Sequence, residues 1–221
     1  MTVAALVFDA YGTLFDVHAV VQRCEGLWPG KGMPLSQLWR AKQLEYTWQR
    51  SLMGRYAPFS TVTREALAYA CEALGLALDE AKTAALMDEY LRLAPYPDVP
   101  GGLAALQAQG RKLAILTNGS PDMIEPLVAH CGMQEPFAAV LSVEPLKRFK
   151  PAPEVYALAV ERLGVPASSI GFVSSNCWDA LGAKSFGFRV WWINRSAAPV
   201  DRLGFHPDGV LRGLGDLPAA L

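Results

Sequence analysis

Hydrophobic positions follow two rhythms along this chain. Leu6, Val7 and Phe8 form a short continuous apolar run that reads as a buried strand and stops at Asp9. After Asp16 the period lengthens. Leu38, Ala41, Leu44, Trp48 and Leu52 recur at helical spacing, which predicts a helix over 34–53 with its apolar stripe through those five positions. Two further helices are predicted over 63–74 and 79–93, with Thr63 and Asp79 as N-caps. The block ends at Pro95, Pro97 and Pro100, a stiff, turn-prone connection.

From Gly101 short apolar runs alternate with helical patterns. A helix leads to Gly110, then Lys112–Thr117 reads as a strand. Ser120 and Pro121 open a helix that ends near Gly132, as an N-cap followed by proline in the first helical position. A strand over 138–143, a helix over 151–163 closed by Gly164, a strand at Ile170–Ser174, a helix over 178–186 closed by Gly187 and a strand at Arg189–Ile193 follow. Repeated strand–helix units predict an α/β fold, a Rossmann-like parallel sheet with helices on both faces. The helical block is then an insertion after the first strand. The expected organisation is a core domain of 1–15 and 97–221 and a helical cap domain of 16–96, set over the sheet end that carries Asp9.

Composition narrows the partners. With 221 residues, 52% of them hydrophobic, the chain can bury a sizeable core. Twenty Lys and Arg against 21 Asp and Glu leave no bulk charge for holding nucleic acid. No apolar run reaches membrane-spanning length, and no basic segment precedes the first strand, so neither a membrane partner nor a signal peptide is expected. Cys24, Cys71, Cys131 and Cys177 are scattered without metal-ligand spacing, and a reduced cytoplasmic protein is the simplest account.

Polar residues cluster at the predicted strand ends. The first strand ends in Asp9, the second in Thr117, Asn118, Gly119 and Ser120, and the fourth in Ser174, Ser175 and Asn176, with Asp179 in the next turn. Lys150 follows the third strand. Asp9 alone has two readings, a cap for the turn that Gly12 permits or a carboxylate held rigidly for chemistry. In a parallel sheet all these groups converge on one crevice at the carboxyl ends of the strands, where ligands bind. A carboxylate, an amine and hydroxyls gathered there read as a site.

These residues also carry a resemblance. Asp9, Tyr11, Gly12, Thr13 and Leu14, then Thr117-Asn118-Gly119, Lys150-Pro151 and Ser174-Ser175-Asn176 with Asp179, resemble the haloacid dehalogenase superfamily. The insertion is similar to that of the type II L-2-haloacid dehalogenases in Leu38-Trp39-Arg40, in Gln43-Leu44-Glu45-Tyr46-Thr47-Trp48 and in Leu52-Met53-Gly54-Arg55-Tyr56. The Asp9 motif alone fits many phosphatases; the combination is specific. Phosphatases of this superfamily usually carry a second Asp two residues after the nucleophile and an acidic Mg²⁺ ligand four residues before the last Asp. Here those positions are Tyr11 and Ser175. A phosphoryl group needs charge neutralisation and an alkoxide needs a proton, whereas a halide leaves as a stable anion.

The resemblance implies a metal- and cofactor-independent hydrolase acting on short (S)-2-haloalkanoic acids, with water as co-substrate and halide as product, and commonly a homodimer. Asp9 is the expected nucleophile, kept ionised near Lys150, and Arg40 receives the halide, with Asn118 as a second candidate. Thr13, Thr117, Ser174 and Asn176 are expected to hydrogen-bond the nucleophile or the substrate carboxylate. Asp179 either orients Lys150 or helps activate the second-step water, and Tyr156 supports Lys150. Tyr11, Leu44, Phe59 and Trp178 are expected to wall the pocket. Ala41 stands where many relatives carry a larger polar residue, so a reshaped pocket is expected. His18, His130 and His206 receive no role, and Cys177 reads as a structural thiol. A Mg²⁺-dependent phosphatase, a haloacid hydrolase that also cleaves fluoride and a catalytically idle binding module are the alternatives.

Overall fold

A computed structural model of the chain describes residues 3–221. The chain runs β1 (Ala5–Phe8), α1 (Val20–Leu27), α2 (Gly32–Met53), α3 (Phe59–Ala73), α4 (Glu80–Glu89), α5 (Val99–Ala108), β2 (Lys112–Thr117), α6 (Pro121–His130) and β3 (Ala139–Ser142). It continues through α7 (Pro153–Leu163), β4 (Ile170–Ser174), α8 (Cys177–Phe186), β5 (Arg189–Ile193), β6 (Gly209–Leu211) and α9 (Leu217–Ala220). The strands form one parallel sheet in the order β3-β2-β1-β4-β5-β6, a Rossmann-type α/β arrangement.

Strand β1 lies at the centre, and all four of its side chains are fully buried. A strand covered on both faces carries a continuous apolar run rather than an alternation, as Ala5-Leu6-Val7-Phe8 does. Phe8 pairs with Ile115 on one side and Val173 on the other. The chain builds outward to β2 and β3 on one flank and later to β4, β5 and β6 on the other, so the strand order reverses at β1. That reversal opens the crevice in which ligands of such sheets bind.

Helices α1 to α4 all lie between β1 and β2. The chain leaves and returns through two neighbouring segments: the Asp16 N–H donates to the Ala94 carbonyl at 2.9 Å, and the Tyr96 N–H to the Leu14 carbonyl at 3.0 Å. Among the described residues no helix is long and apolar enough to cross a membrane.

The helices depart from expectation where burial overrides periodicity. The buried face of α2 is Leu35, Ser36, Trp39, Gln43 and Thr47, not the stripe through Ala41 and Leu52, which are exposed. Polar positions can be buried there because they are bonded: Gln43 to Thr63, and the Thr47 hydroxyl to the Leu44 carbonyl at 2.6 Å. Thr63 is not an N-cap. Helix α3 begins four residues earlier, after Pro58, and Thr63 turns its hydroxyl back onto the Phe59 carbonyl at 2.7 Å. Asp79 does cap α4, accepting from the Lys82 N–H at 2.8 Å. Ser120 precedes α6 as expected, but its hydroxyl accepts from the Ser60 N–H at 3.2 Å and so ties α3 to the end of β2. Helix α1 and strand β6 were not expected: α1 buries only Val20 and Cys24, and β6 is three residues long, too little in either case for a period to show.

Helix α8 packs closely on the segment that carries Lys150. A methyl group added at Gly182 would stand 2.6 Å from the Pro151 Cβ and 2.6 Å from the Tyr156 hydroxyl oxygen. Gly182→Ala should therefore cost about 1–3 kcal/mol of stability through overpacking, read as a lowered Tm in calorimetry. A Tm equal to that of the unaltered protein would show that α7 and α8 are not packed this tightly.

Candidate active site

The site begins one residue past β1. The Asp9 N–H continues the ladder by donating to the Val173 carbonyl at 2.9 Å, so the sheet aims the side chain out of its carboxyl end. Gly12 then takes φ +89°, a left-handed conformation that glycine adopts without strain, and the turn brings Thr13 back over Asp9. The Thr13 hydroxyl donates to Asp9 Oδ2 at 2.9 Å and accepts from the Ser175 N–H at 2.8 Å. Asn176 Nδ2 donates to the same carboxylate oxygen at 2.9 Å. Lys150 Nζ lies 3.1 Å from Asp9 Oδ1 and 2.9 Å from Asp179 Oδ2.

This cluster is dry: Asp9 is 6% exposed, Lys150 1% and Asp179 0%. Burial alone disfavours the Lys150 ammonium, yet Asp179 and Asp9 outweigh it and hold the lysine above its ordinary value of 10.5. Burial, aided by the Asp9 charge, pushes Asp179 up to about 6, against the attraction of Lys150 and the Tyr156 hydrogen bond. The Tyr156 hydroxyl donates to Asp179 Oδ1 at 2.9 Å, and burial raises that phenol well above its usual range. Tyr156 thus acts on Lys150's partner rather than on Lys150 itself.

In front of Asp9 is a small cavity. Helix α2 contributes Arg40 and, one turn on, Leu44; α3 contributes Phe59; α8 contributes Trp178, which packs edge-on to Trp48 at 5.4 Å. Tyr11, Thr117, Asn118 and Asn176 complete the lining. The Tyr11 ring sits 5.9 Å from Phe59, and its buried hydroxyl has no hydrogen-bond partner among the described residues. Asn118 Oδ1 accepts from the Lys150 N–H at 2.9 Å, and Thr117 Oγ1 from the Gly119 N–H at 3.0 Å. The Ser174 hydroxyl does not reach Asp9. It accepts from the Asn176 N–H at 3.1 Å, one link away. Ala41 is exposed and lines no part of this cavity, which removes it as a reason for a reshaped pocket. A helix advances about 100° per residue, so Arg40 and Leu44 share a face that Ala41 leaves.

Two residues escaped the sequence reading of roles. Ser175 fixes Thr13 through its N–H. Gln43 accepts from Arg40 Nη1 at 2.6 Å. The available signal for Gln43 was a polar residue four positions after Trp39 on the helix face that α3 covers.

The fold and this constellation are those of a haloacid dehalogenase-like hydrolase, and the chain belongs to that family, whose model matches residues 3–187. Its relatives within the family include haloacid dehalogenases. The chain is 51% identical to (S)-2-haloacid dehalogenase H-109 of Pseudomonas putida over 97% of its own length and 96% of that protein, and 48% identical to haloacetate dehalogenase H-2 of Moraxella sp. (strain B), over 93% and 92%. The structure of L-2-haloacid dehalogenase from Xanthobacter autotrophicus with chloropropionic acid covalently bound superposes with a TM-score of 0.91 at 46% identity, covering 99% of this chain and 98% of that one.

The raised Asp179 carboxyl has a measurable consequence. Between its ordinary value of 3.8 and about 6 the folded protein binds more protons at this group than the unfolded chain does. Its contribution therefore makes the protein less stable as pH rises through that window. Asp179→Asn removes the effect, so the stability lead of the unaltered protein over the variant should be larger near about pH 4 than near about pH 7, in urea unfolding at both. A lead that does not change with pH would place the proton elsewhere.

Proposed function

We propose that this protein hydrolyses short (S)-2-haloalkanoic acids to (R)-2-hydroxyalkanoic acids through an ester on Asp9, without a metal or another cofactor. The observation that carries the reading is a desolvated carboxylate at a strand end, facing an arginine across a small cavity. In the first step an Asp9 oxygen attacks C2, the carbon–halogen bond breaks, and the halide leaves with the bonding pair. In the second, water attacks the Asp9 carboxyl carbon, releases the hydroxy acid and regenerates the carboxylate. One in-line displacement at C2 inverts it, and the second step leaves that centre untouched.

Lys150 offsets the cost of holding the Asp9 charge out of water, and Thr13 and Asn176 fix its orientation. Ser174 holds Asn176 through its backbone. Arg40 receives the halide, with Asn118 beside it, and draws in a substrate that is itself an anion. Thr117 and the backbone near Tyr11 serve the substrate carboxylate. Tyr11, Leu44, Phe59 and Trp178 exclude water from the displaced carbon. Asp179, braced by Tyr156, holds Lys150 and is the available base for the second-step water. The 16–96 segment acts as a cap domain over a core of 1–15 and 97–221. Tyr11 and Ser175, where phosphatases of the superfamily carry carboxylates, support metal independence. The four unpaired thiols favour a cytoplasmic setting, and the resemblance favours a homodimer.

The direct test is halide release from each enantiomer of 2-chloropropionate, with and without EDTA. The (S) enantiomer should react at the same rate in both and the (R) enantiomer should not react; activity that vanished on chelation and returned with Mg²⁺ would sink the reading. Isotope labelling tests the covalent step. With enzyme in excess in ¹⁸O-water, the product hydroxyl should be mostly unlabelled and the solvent label should appear in the Asp9 peptide by mass spectrometry. Labelled product with an unlabelled Asp9 peptide would make Asp9 a general base instead.

A further inference from the structure

Arg40 is half-buried, and among the described residues it has no carboxylate partner. Its bond to the Tyr11 carbonyl is long, at 3.5 Å. Its short bond is to Gln43 Oε1, at 2.6 Å. Gln43 is fully buried between α2 and α3, three residues after Arg40.

The direction of that amide follows from a chain of single protons. The Thr63 hydroxyl spends its one proton on the Phe59 carbonyl at 2.7 Å. Its oxygen is then an acceptor, and Gln43 Nε2 donates to it at 2.7 Å. The amide oxygen is left facing Arg40. A flipped amide would set N–H groups against the guanidinium, which has no acceptor to offer. A backbone carbonyl of Phe59, the residue that also walls the cavity, thereby sets which end of the Gln43 amide meets Arg40. The acceptor is neutral. A carboxylate in its place would hold the guanidinium as firmly but cancel the charge that a leaving anion needs.

We infer that Gln43 is a positioning residue: it holds the Arg40 guanidinium over the cavity with an uncharged acceptor and so sets how strongly the reaction depends on the leaving halide. This rests on the dehalogenase reading above. Chloride is a poorer leaving group than bromide and needs more stabilisation as the bond breaks. A guanidinium out of place should therefore slow chloride release more than bromide release.

The test uses single-turnover halide release from (S)-2-chloropropionate and (S)-2-bromopropionate, together with bromide binding followed by tryptophan fluorescence. In Gln43→Met, chloride release should fall roughly 10- to 100-fold, the scale for a misplaced catalytic group, with KM little changed. The bromide-to-chloride rate ratio should rise several-fold. In Gln43→Glu, bromide affinity should fall at neutral pH and recover in acid, where a protonated carboxyl resembles the amide; the unaltered enzyme should show no such recovery. A Gln43→Met enzyme that folds and keeps the original rate ratio, whatever its absolute rate, would overturn the inference and leave the dehalogenase reading standing. So would a Gln43→Glu enzyme with unaltered bromide affinity. An unaltered enzyme that releases no halide from either substrate would overturn that reading and this inference with it.

Discussion

The Lys150 ammonium between Asp9 and Asp179 is the interaction on which the rest of the structure depends. Three charged groups are buried together, and removing each from water costs several kcal/mol. The arrangement stands because nearly every remaining hydrogen-bonding position is used. Thr13 and Asn176 take one oxygen of Asp9, Tyr156 takes one oxygen of Asp179, and Asn118 holds the Lys150 backbone. The partners come from β1, the end of β2, the segment before α7, α7 itself and α8. Loss of one member would leave a buried charge uncompensated, at about 3–5 kcal/mol. The ion cluster therefore fastens the carboxyl edge of the sheet as well as fixing the Asp9 carboxylate.

Rigidity at that edge has a source in the sheet and a use in the chemistry. Parallel pairing on both flanks of β1 fixes where Asp9 leaves the ladder, and the left-handed turn at Gly12 returns Thr13 to it. The Asp9 carboxylate is thereby buried, oriented and charge-balanced. The opposing wall has a different origin. Arg40, Leu44 and Phe59 come from α2 and α3, helices linked to the core by Ser60 and Ser120 and by the paired segments near residues 15 and 95. The two walls meet at the small cavity in front of Asp9.

The two walls also treat charge differently. On the sheet side, positive and negative groups are paired closely, which stabilises Asp9 but leaves no free cation for an incoming anion. On the helix side, Arg40 is held by a neutral amide and keeps its charge.

Much of this was legible in the sequence. Continuous apolar runs ending in Asp9, Thr117 and Ser174 predicted buried parallel strands, because a strand covered on both faces has no polar alternation, and parallel strands must bring their carboxyl ends to one crevice. The polar residues at the strand ends are therefore readable from chain position alone, and Asp9, Lys150, Asn176 and Asp179 do meet. The contacts that orient them were not readable, since they depend on which helix face meets which neighbour. Periodicity placed a stripe through Ala41 and Leu52; packing of α2 against α3 instead buried Gln43, which bonds Thr63 and Arg40, and Thr47, which bonds the Leu44 carbonyl. Thr63 looked like a cap and became a hydrogen-bond relay once α3 began at Phe59. Tyr156 was expected to support Lys150 and reached Asp179, and Ser174 reached Asn176. Sequence by itself determined the strands, their order of appearance and the chemical groups at their ends, because those follow from local burial and chain connectivity. Only the tertiary structure decided the partners of each polar side chain, because a hydrogen bond formed across two elements leaves no periodic trace in either.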